Sequence, residues 1–468
     1  MVISDQVITQ HIQKYLAIDP KAKDSFGEVM TPPLLIDEIL DHLPKSVWTN
    51  PALKWLDPCA GTGNFAILVY LRLMRGLTKS IPDAGDRHNH IISEMLFMVE
   101  LNPKNAAILH RIFGKGPKGP KDSKGPKGSK YMKGSANIFE QDYLKFFDKN
   151  NTNTLETLET FDIIVGNPPY QAPKKGVYKG AQGASKSLWP QFVELSLAHL
   201  APGGYLGFVT PANWRRPEHP LFTTMTRENR LRFLHIYGKD RGLKIFGVQT
   251  RFDTYVIEKS DVKSLKPRSL ILIDEKGKTH NNINVLAWPF IPNYMFSQIQ
   301  RLLIKRNNND ITRDKSKDNP ELDIIYSASI YDTRKLNTTK SKKYPCPTIH
   351  TMTKKGLGLR YTKDRGCLTK KRKPPNRIDG VYESFFGIPK VILNFNEKLY
   401  PYNDYKGEYG LSQLSFGIRI GSKEEGDRII SGLNSPVFKE IVAATKWGSF
   451  QTDWRMFRYF RKDFFDNL

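Results

Sequence analysis

The segment best suited to chemistry is FDIIVGNPPY (161–170), an apolar run that ends in Asn167-Pro168-Pro169-Tyr170. Two consecutive prolines fix φ and remove two donors, so the turn is rigid and the carbonyl of Pro168 stays available as an acceptor. Asn167 brings a second acceptor, its side-chain carbonyl. Two fixed acceptors can hold an amino group and turn its lone pair toward an electrophile. Tyr170 adds a flat face on which a planar base can stack.

Further acids and glycines follow other apolar runs. In LDPCAGTGNF (56–65), Asp57 ends such a run with a carboxylate suited to a positively charged amino group. Gly61 and Gly63 permit a tight turn and let a ligand approach the backbone closely. No lysine follows, so a triphosphate-binding loop is not expected. Glu100 closes LFMVE, where an acid can accept hydrogen bonds from both hydroxyls of a ribose. Asp142, in NIFEQDYL, either accepts from the amino group of a cofactor adenine or caps a helix.

The elements that must position these residues are legible as an alternation. Apolar runs at 54–57, 96–101, 161–166, 204–210, 233–238 and 253–258 are separated by helical patterns such as Phe192, Val193, Leu195, Leu197, Ala198 and Leu200. Continuous apolar strands between helices imply a mostly parallel sheet covered on both faces. Such a sheet binds ligands at the carboxyl ends of its strands, where the motifs fall. Residues 1–25 have helical spacing. Residues 114–134 carry seven Lys and one Asp among recurrent Gly and Pro, which reads as a flexible basic surface loop. After about 265 the alternation stops.

Lys plus Arg number 72 against 47 Asp plus Glu, a net charge of +25. Residues 261–468 contribute +16 of this, and 340–377 hold thirteen Lys or Arg and one acid. Charge of this sign and clustering points to a polyanion, nucleic acid first. The aromatic and basic mixture at 447–465 suits either DNA contact or a C-terminal helix packing its aromatics inward; the second is the expectation. Three cysteines, Cys59, Cys346 and Cys367, are too few and too scattered for a disulfide framework or a zinc cluster. No secretory leader and no membrane-length apolar run are evident. An intracellular protein is expected, either cytoplasmic and nucleoid-associated through DNA or virus- or host-associated.

In their order these motifs resemble the adenine-N6 class of amino-methylating DNA methyltransferases with gamma motif order, of the restriction–modification type. GEVMTPPLLIDEIL (27–40) resembles motif X, DPCAGTGNF motif I, Glu100 motif II, Asp142 motif III, NPPY motif IV, GGYLGFVTPANW (203–214) motif VI and FGVQTRFDTYVIEK (246–259) motif VIII. The likeness implies a Rossmann-like class I methyltransferase fold with a separate α+β target recognition domain. The implied division is a helical lead-in at 1–26, a catalytic domain at 27–265 and a basic recognition domain at 266–468. S-adenosyl-L-methionine would be held by Thr31, Asp57, Ala60, Gly61, Gly63, Glu100 and Asp142, with Thr31 near its methionine end. Asn167, Pro168, Pro169 and Tyr170 would act on a flipped adenine. Phe246, or alternatively Phe252, would stack on the base with Tyr170. No metal is needed.

Double-stranded DNA is the expected partner of a monomer, and a cognate restriction endonuclease is a candidate second one. Adenine in RNA, a protein glutamine, and an inactive DNA-binding recognition subunit are the competing readings. Cytosine ring methylation would need a cysteine nucleophile, and neither Cys59, inside the cofactor loop, nor Cys346, outside the core, fits that role.

Overall fold

The computed structural model describes residues 30–114, 135–147, 160–171, 187–260, 269–304, 322–326, 337–362, 385–396, 398–448 and 452–468. The lead-in at 1–26, the Lys/Gly/Pro insertion beyond Gly114, and residues 363–377 of the basic stretch lie outside them. The chain forms two compact units. One comprises Met1–Trp214 with Pro220–Val285, the other Arg215–His219 with Leu286–Leu468.

The first unit is built on a nine-stranded sheet. Its strands are β1 (Trp55–Asp57), β2 (Leu96–Glu100), β3 (Asn137–Glu140), β4 (Phe161–Gly166), β5 (Leu200–Pro211), β6 (Arg230–Tyr237), β7 (Phe252–Glu258), β8 (Ser269–Ile273) and β9 (Thr279–Asn284). Their spatial order is β3-β2-β1-β4-β5-β7-β6-β8-β9. β1 through β5 pair in parallel, and β7 lies antiparallel between β5 and β6. All six apolar runs of the sequence are strands of this sheet. Strands β1 and β2 are buried along their whole length, the pattern of a sheet covered on both faces. Each fully buried Ile, Val or Phe in β4 contributes about 1.5–3 kcal/mol.

The sequence boundary near 265 falls inside this unit, because the hairpin β8–β9 extends the sheet to Asn284. The hairpin turns at Asp274–Lys278, with Gly277 at φ 80°.

Helix α1 (Pro33–Asp41) starts at a proline, whose missing N–H costs nothing in a first turn. It packs on β5, on β7 and on α2 (Asn64–Gly76). Gly207 in β5 allows this approach: a Cβ there would lie 2.5 Å from Cγ2 of Ile39. Glu38 of α1 is pinned to the sheet beneath it. Its Oε1 lies 2.5 Å from Nδ1 of His235, and its Oε2 accepts from Tyr237 (2.9 Å) and Thr254 (2.7 Å). Burial raises the Glu38 pKa, but these hydrogen bonds and the His235 charge outweigh it and hold the carboxyl below its usual range.

The second unit is α+β. It holds a four-stranded sheet, β10 (Ile324–Ile325), β16 (Ser415–Arg419), β13 (Lys390–Asn394) and β14 (Tyr402–Asp404), in that spatial order. A three-stranded sheet contains β12 (Gly356–Thr362), β11 (Cys346–Thr353) and β15 (Gly410–Leu411). Lys390 and Asp404 form a buried ion pair at 2.6 Å. The lysine also donates to the Phe385 and Ile388 carbonyls, and Asp404 accepts from the Glu408 and Tyr409 amides. A buried pair is tolerated only when its remaining groups are satisfied in this way. Near the C-terminus, Phe457, Phe460 and Phe464 pack inward around Phe438. The segment is not the single helix expected but two 3₁₀ turns, Trp454–Tyr459 and Phe464–Asn467. Arg458, on its exposed side, pairs with Glu218 and lies 4.4 Å from the Trp454 ring centroid.

Candidate active site

The strand order reverses between β1 and β4: the chain builds outward from β1 through β2 to β3, then crosses back to place β4 on the other side. Such a switch point opens a crevice at the carboxyl ends of the strands. Asp57 ends β1, Glu100 ends β2, Asp142 follows β3, and NPPY follows β4. The fold thus brings the four sequence motifs to one edge.

Gly166 sets how closely the two central loops meet. A Cβ on it would lie 3.2 Å from Asp57 Oδ1 and 3.3 Å from Cys59 Sγ. Beyond β1 the chain turns at Ala60–Gly63, closed by a 2.8 Å bond from the Gly63 amide to the Ala60 carbonyl. Gly61 and Gly63 have φ of 55° and 98°, a region that favours glycine. A Cβ on Gly61 would meet nothing within 4 Å, so this side of the turn is open.

Asp57 is 2% exposed. Burial, with repulsion from Glu100, pushes its pKa up to about 8 despite a hydrogen bond from the Cys59 amide. Burial also pushes the Cys59 thiol up, which leaves it a poor nucleophile. Glu100 has a role the sequence did not disclose. Its two oxygens accept from the Gly61 amide (2.6 Å) and the Asn102 amide (2.7 Å), so the acid braces the glycine turn. Asp142 caps the 3₁₀ turn Tyr143–Lys145 through a 3.0 Å bond from the Leu144 amide to its Oδ1, the second of its two readings.

Asn167 donates from Nδ2 to the Thr31 hydroxyl at 3.0 Å. Its Oδ1 is buried and has no hydrogen-bond partner among the described residues. The Thr31 carbonyl in turn accepts from Nδ2 of Asn64 at 3.1 Å, and Asn64 Oδ1 is likewise a buried acceptor without a described partner. Asn64 is the residue that sequence reasoning missed; its only signal was its place directly after Gly63.

Tyr170 has a half-buried ring. Its hydroxyl has no described partner, and burial with nearby Asp253 and Tyr255 keeps it protonated. Phe246 ends the helix Lys239–Phe246 and meets the Tyr170 ring edge-on, centroids 6.3 Å apart. Phe252 packs against Phe246 at 4.8 Å and is fully buried. Phe246 is therefore the one of the two aromatics that touches Tyr170, though in this arrangement the rings form no parallel slot.

The sheet order and the motif-bearing strand ends are those of a Rossmann-like class I methyltransferase fold, with an additional unit. By sequence the chain is similar, over part of its length, to adenine-specific restriction–modification methylases. Residues 94–243 match the family model of the Eco57I restriction-modification methylase. An uncharacterised adenine-specific methylase of Mycoplasma pneumoniae is 30% identical over 258 residues, covering 44% of this chain and 60% of that protein. The type II methyltransferase M.TthHB8I of Thermus thermophilus is 34% identical over 112 residues, 20% of this chain and 26% of that protein. The chain thus matches about three fifths of the first relative's length and a quarter of the second's. A cryo-EM structure of a DrdV–DNA complex superposes with a TM-score of 0.48 and 12% identity, covering 96% of this chain and 58% of that one; at that level the likeness carries no argument.

Proposed function

We propose that the protein is a site-specific DNA methyltransferase that transfers a methyl group from S-adenosyl-L-methionine to the exocyclic amino nitrogen of a flipped adenine. The observation that carries this reading is Asn167. Its amide is anchored at the NH₂ end and presents a buried carbonyl, with no hydrogen-bond partner among the described residues, from a rigid Pro-Pro turn at the sheet's switch point.

The residues present fit the cofactor. Asp57 is a buried carboxylate whose ionised form lacks a cationic partner among the described residues, and an α-ammonium would supply one. Asn64 Oδ1 is a further buried acceptor, and the open side of Gly61 admits a ligand against the backbone. Thr31, Ala60, Gly63 and Glu100 complete the surround, with Asp142 a candidate for the adenine end. When bound, the cofactor supplies an electrophilic methyl on a sulfonium centre.

The chain's own residues then do the positioning, from which most of such a rate enhancement comes. A base stacked in duplex is out of reach and must be flipped, at a cost of a few kcal/mol. Tyr170 offers its ring face in compensation, with Phe246 moving to complete the stack. Asn167 Oδ1 and the Pro168 carbonyl accept the two N–H bonds of the amino group, which favours a pyramidal nitrogen with its lone pair free. The proton leaves after transfer, so no side-chain nucleophile or metal is required.

The second unit supplies a surface of the right sign. The hairpin β11–β12 and its approach, 340–362, carry Lys340, Lys342, Lys343, Lys354, Lys355 and Arg360 with no acid. Lys354 and Lys355 form the exposed tip between the two strands. Such residues suit phosphate contacts, which position a protein without reading sequence.

The test is an acceptor panel with labelled cofactor: duplex DNA, single-stranded DNA, RNA and protein. Label in duplex adenine supports the reading. Label only in RNA or protein glutamine, or cofactor binding without transfer, replaces it with one of the competing readings.

A further inference from the structure

We propose that Thr31 is a positioning residue for Asn167, setting the catalytic amide rather than only lining the cofactor site. This rests on reading Asn167 as the acceptor of the target amino group.

The geometry is a chain of two hydrogen bonds. Asn64, the first residue of α2, donates to the Thr31 carbonyl at 3.1 Å, and Asn167 donates to the Thr31 hydroxyl at 3.0 Å. Thr31 is 4% exposed, so water does not replace that hydroxyl. The three residues lie far apart in sequence and belong to the segment before α1, the glycine turn and the NPPY turn. One threonine therefore links the cofactor loop to the catalytic side chain.

An asparagine amide turns about its last bond with little steric preference, and only one face of it accepts. A target NH₂ needs the carbonyl; the amide's own NH₂ in that place would oppose donor to donor. The Thr31 hydroxyl takes up the NH₂ end and fixes the amide plane, leaving Oδ1 as the group presented to the base. Without the hydroxyl, Nδ2 would be a buried donor with no partner, and the side chain would leave this rotamer to find one.

Thr31→Val keeps the shape and removes the hydroxyl. Expected is a loss in kcat of about 10-fold or more, on the scale of one buried hydrogen bond. The cofactor dissociation constant, measured by calorimetry with S-adenosylhomocysteine, should stay within about 3-fold, less than half of the change expected in kcat on a free-energy scale. Thr31→Ser keeps the hydroxyl and should restore kcat.

An unchanged kcat in Thr31→Val would overturn the proposal. So would a weakened cofactor affinity with normal turnover at saturation, which would make Thr31 a cofactor ligand only. Failure of the wild-type protein to methylate any amino group would be different: it removes the underlying reading of Asn167.

Discussion

Raising the pH from 6 toward 8 should tighten cofactor binding through Asp57. In the free protein this carboxyl has a pKa of about 8 because it is buried beside Glu100. The sign follows from the direction of the shift. A carboxyl with a raised folded pKa favours the folded state at low pH, and that contribution is lost as pH rises through the folded value. A bound α-ammonium reverses the preference by pairing with the ionised form. Binding below pH 8 must therefore expel a proton. At pH 7 about one molecule in ten has Asp57 ionised, and at pH 6 about one in a hundred. Affinity for S-adenosylhomocysteine should weaken by about 10-fold between pH 7 and pH 6, equivalent to about 1.4 kcal/mol. Above pH 8 Asp57 is already ionised in the free protein, and the trend ends. Calorimetry in buffers of different ionisation heat should show close to one proton released at pH 7. Asp57→Asn should bind more weakly and lose the slope. A dissociation constant that is flat between pH 6 and 7, or a slope retained in Asp57→Asn, would refute the assignment of Asp57 as the ammonium partner.

Three further perturbations probe the frame of the site. Glu38→Ala removes the acceptor for His235, Tyr237 and Thr254 and should lower unfolding free energy in urea by about 2–4 kcal/mol. Because the Glu38 pKa is depressed, the contribution of this group is present above the unfolded value and fades as pH falls through the folded one. A variant whose stability difference from wild type is the same at pH 7 and pH 3.5 would contradict this. Gly207→Ala puts a Cβ 2.5 Å from Ile39 and should cost about 1–3 kcal/mol by overpacking, read as a lower thermal midpoint. Lys390→Met strands Asp404 in the second unit and should cost about 3–5 kcal/mol; a loss under 1 kcal/mol in chemical denaturation would mean the pair is hydrated.

The strands were legible because a sheet covered on both faces demands unbroken apolar runs, and LFMVE, FDIIVG and DTYVIE are such runs. NPPY was legible because two prolines after a strand have few other uses. Sequence did not show that Glu100 braces the glycine turn, that Asn64 holds Thr31, or that Glu38 of the first helix reaches β6 and β7. Those bonds join residues up to 216 positions apart, and no local pattern encodes them. Asp142 was ambiguous in sequence because capping and ligand binding ask for the same carboxylate. The edge of the first unit was misplaced at 265 because β9, Thr279–Asn284, is polar. An edge strand needs no apolar run, so the composition shift came earlier than the end of the sheet.

The proposed transfer depends on an amino group held by Asn167. The direct measurement is nucleoside mass spectrometry of duplex DNA containing varied sequences, incubated with methyl-deuterated cofactor and either the wild-type protein or Asn167→Ala. Deuterated N6-methyladenine from the wild type, and none from an Asn167→Ala protein that still binds S-adenosylhomocysteine, is the expected result. Label on a ring carbon, or equal N6-methyladenine from both proteins, would contradict it.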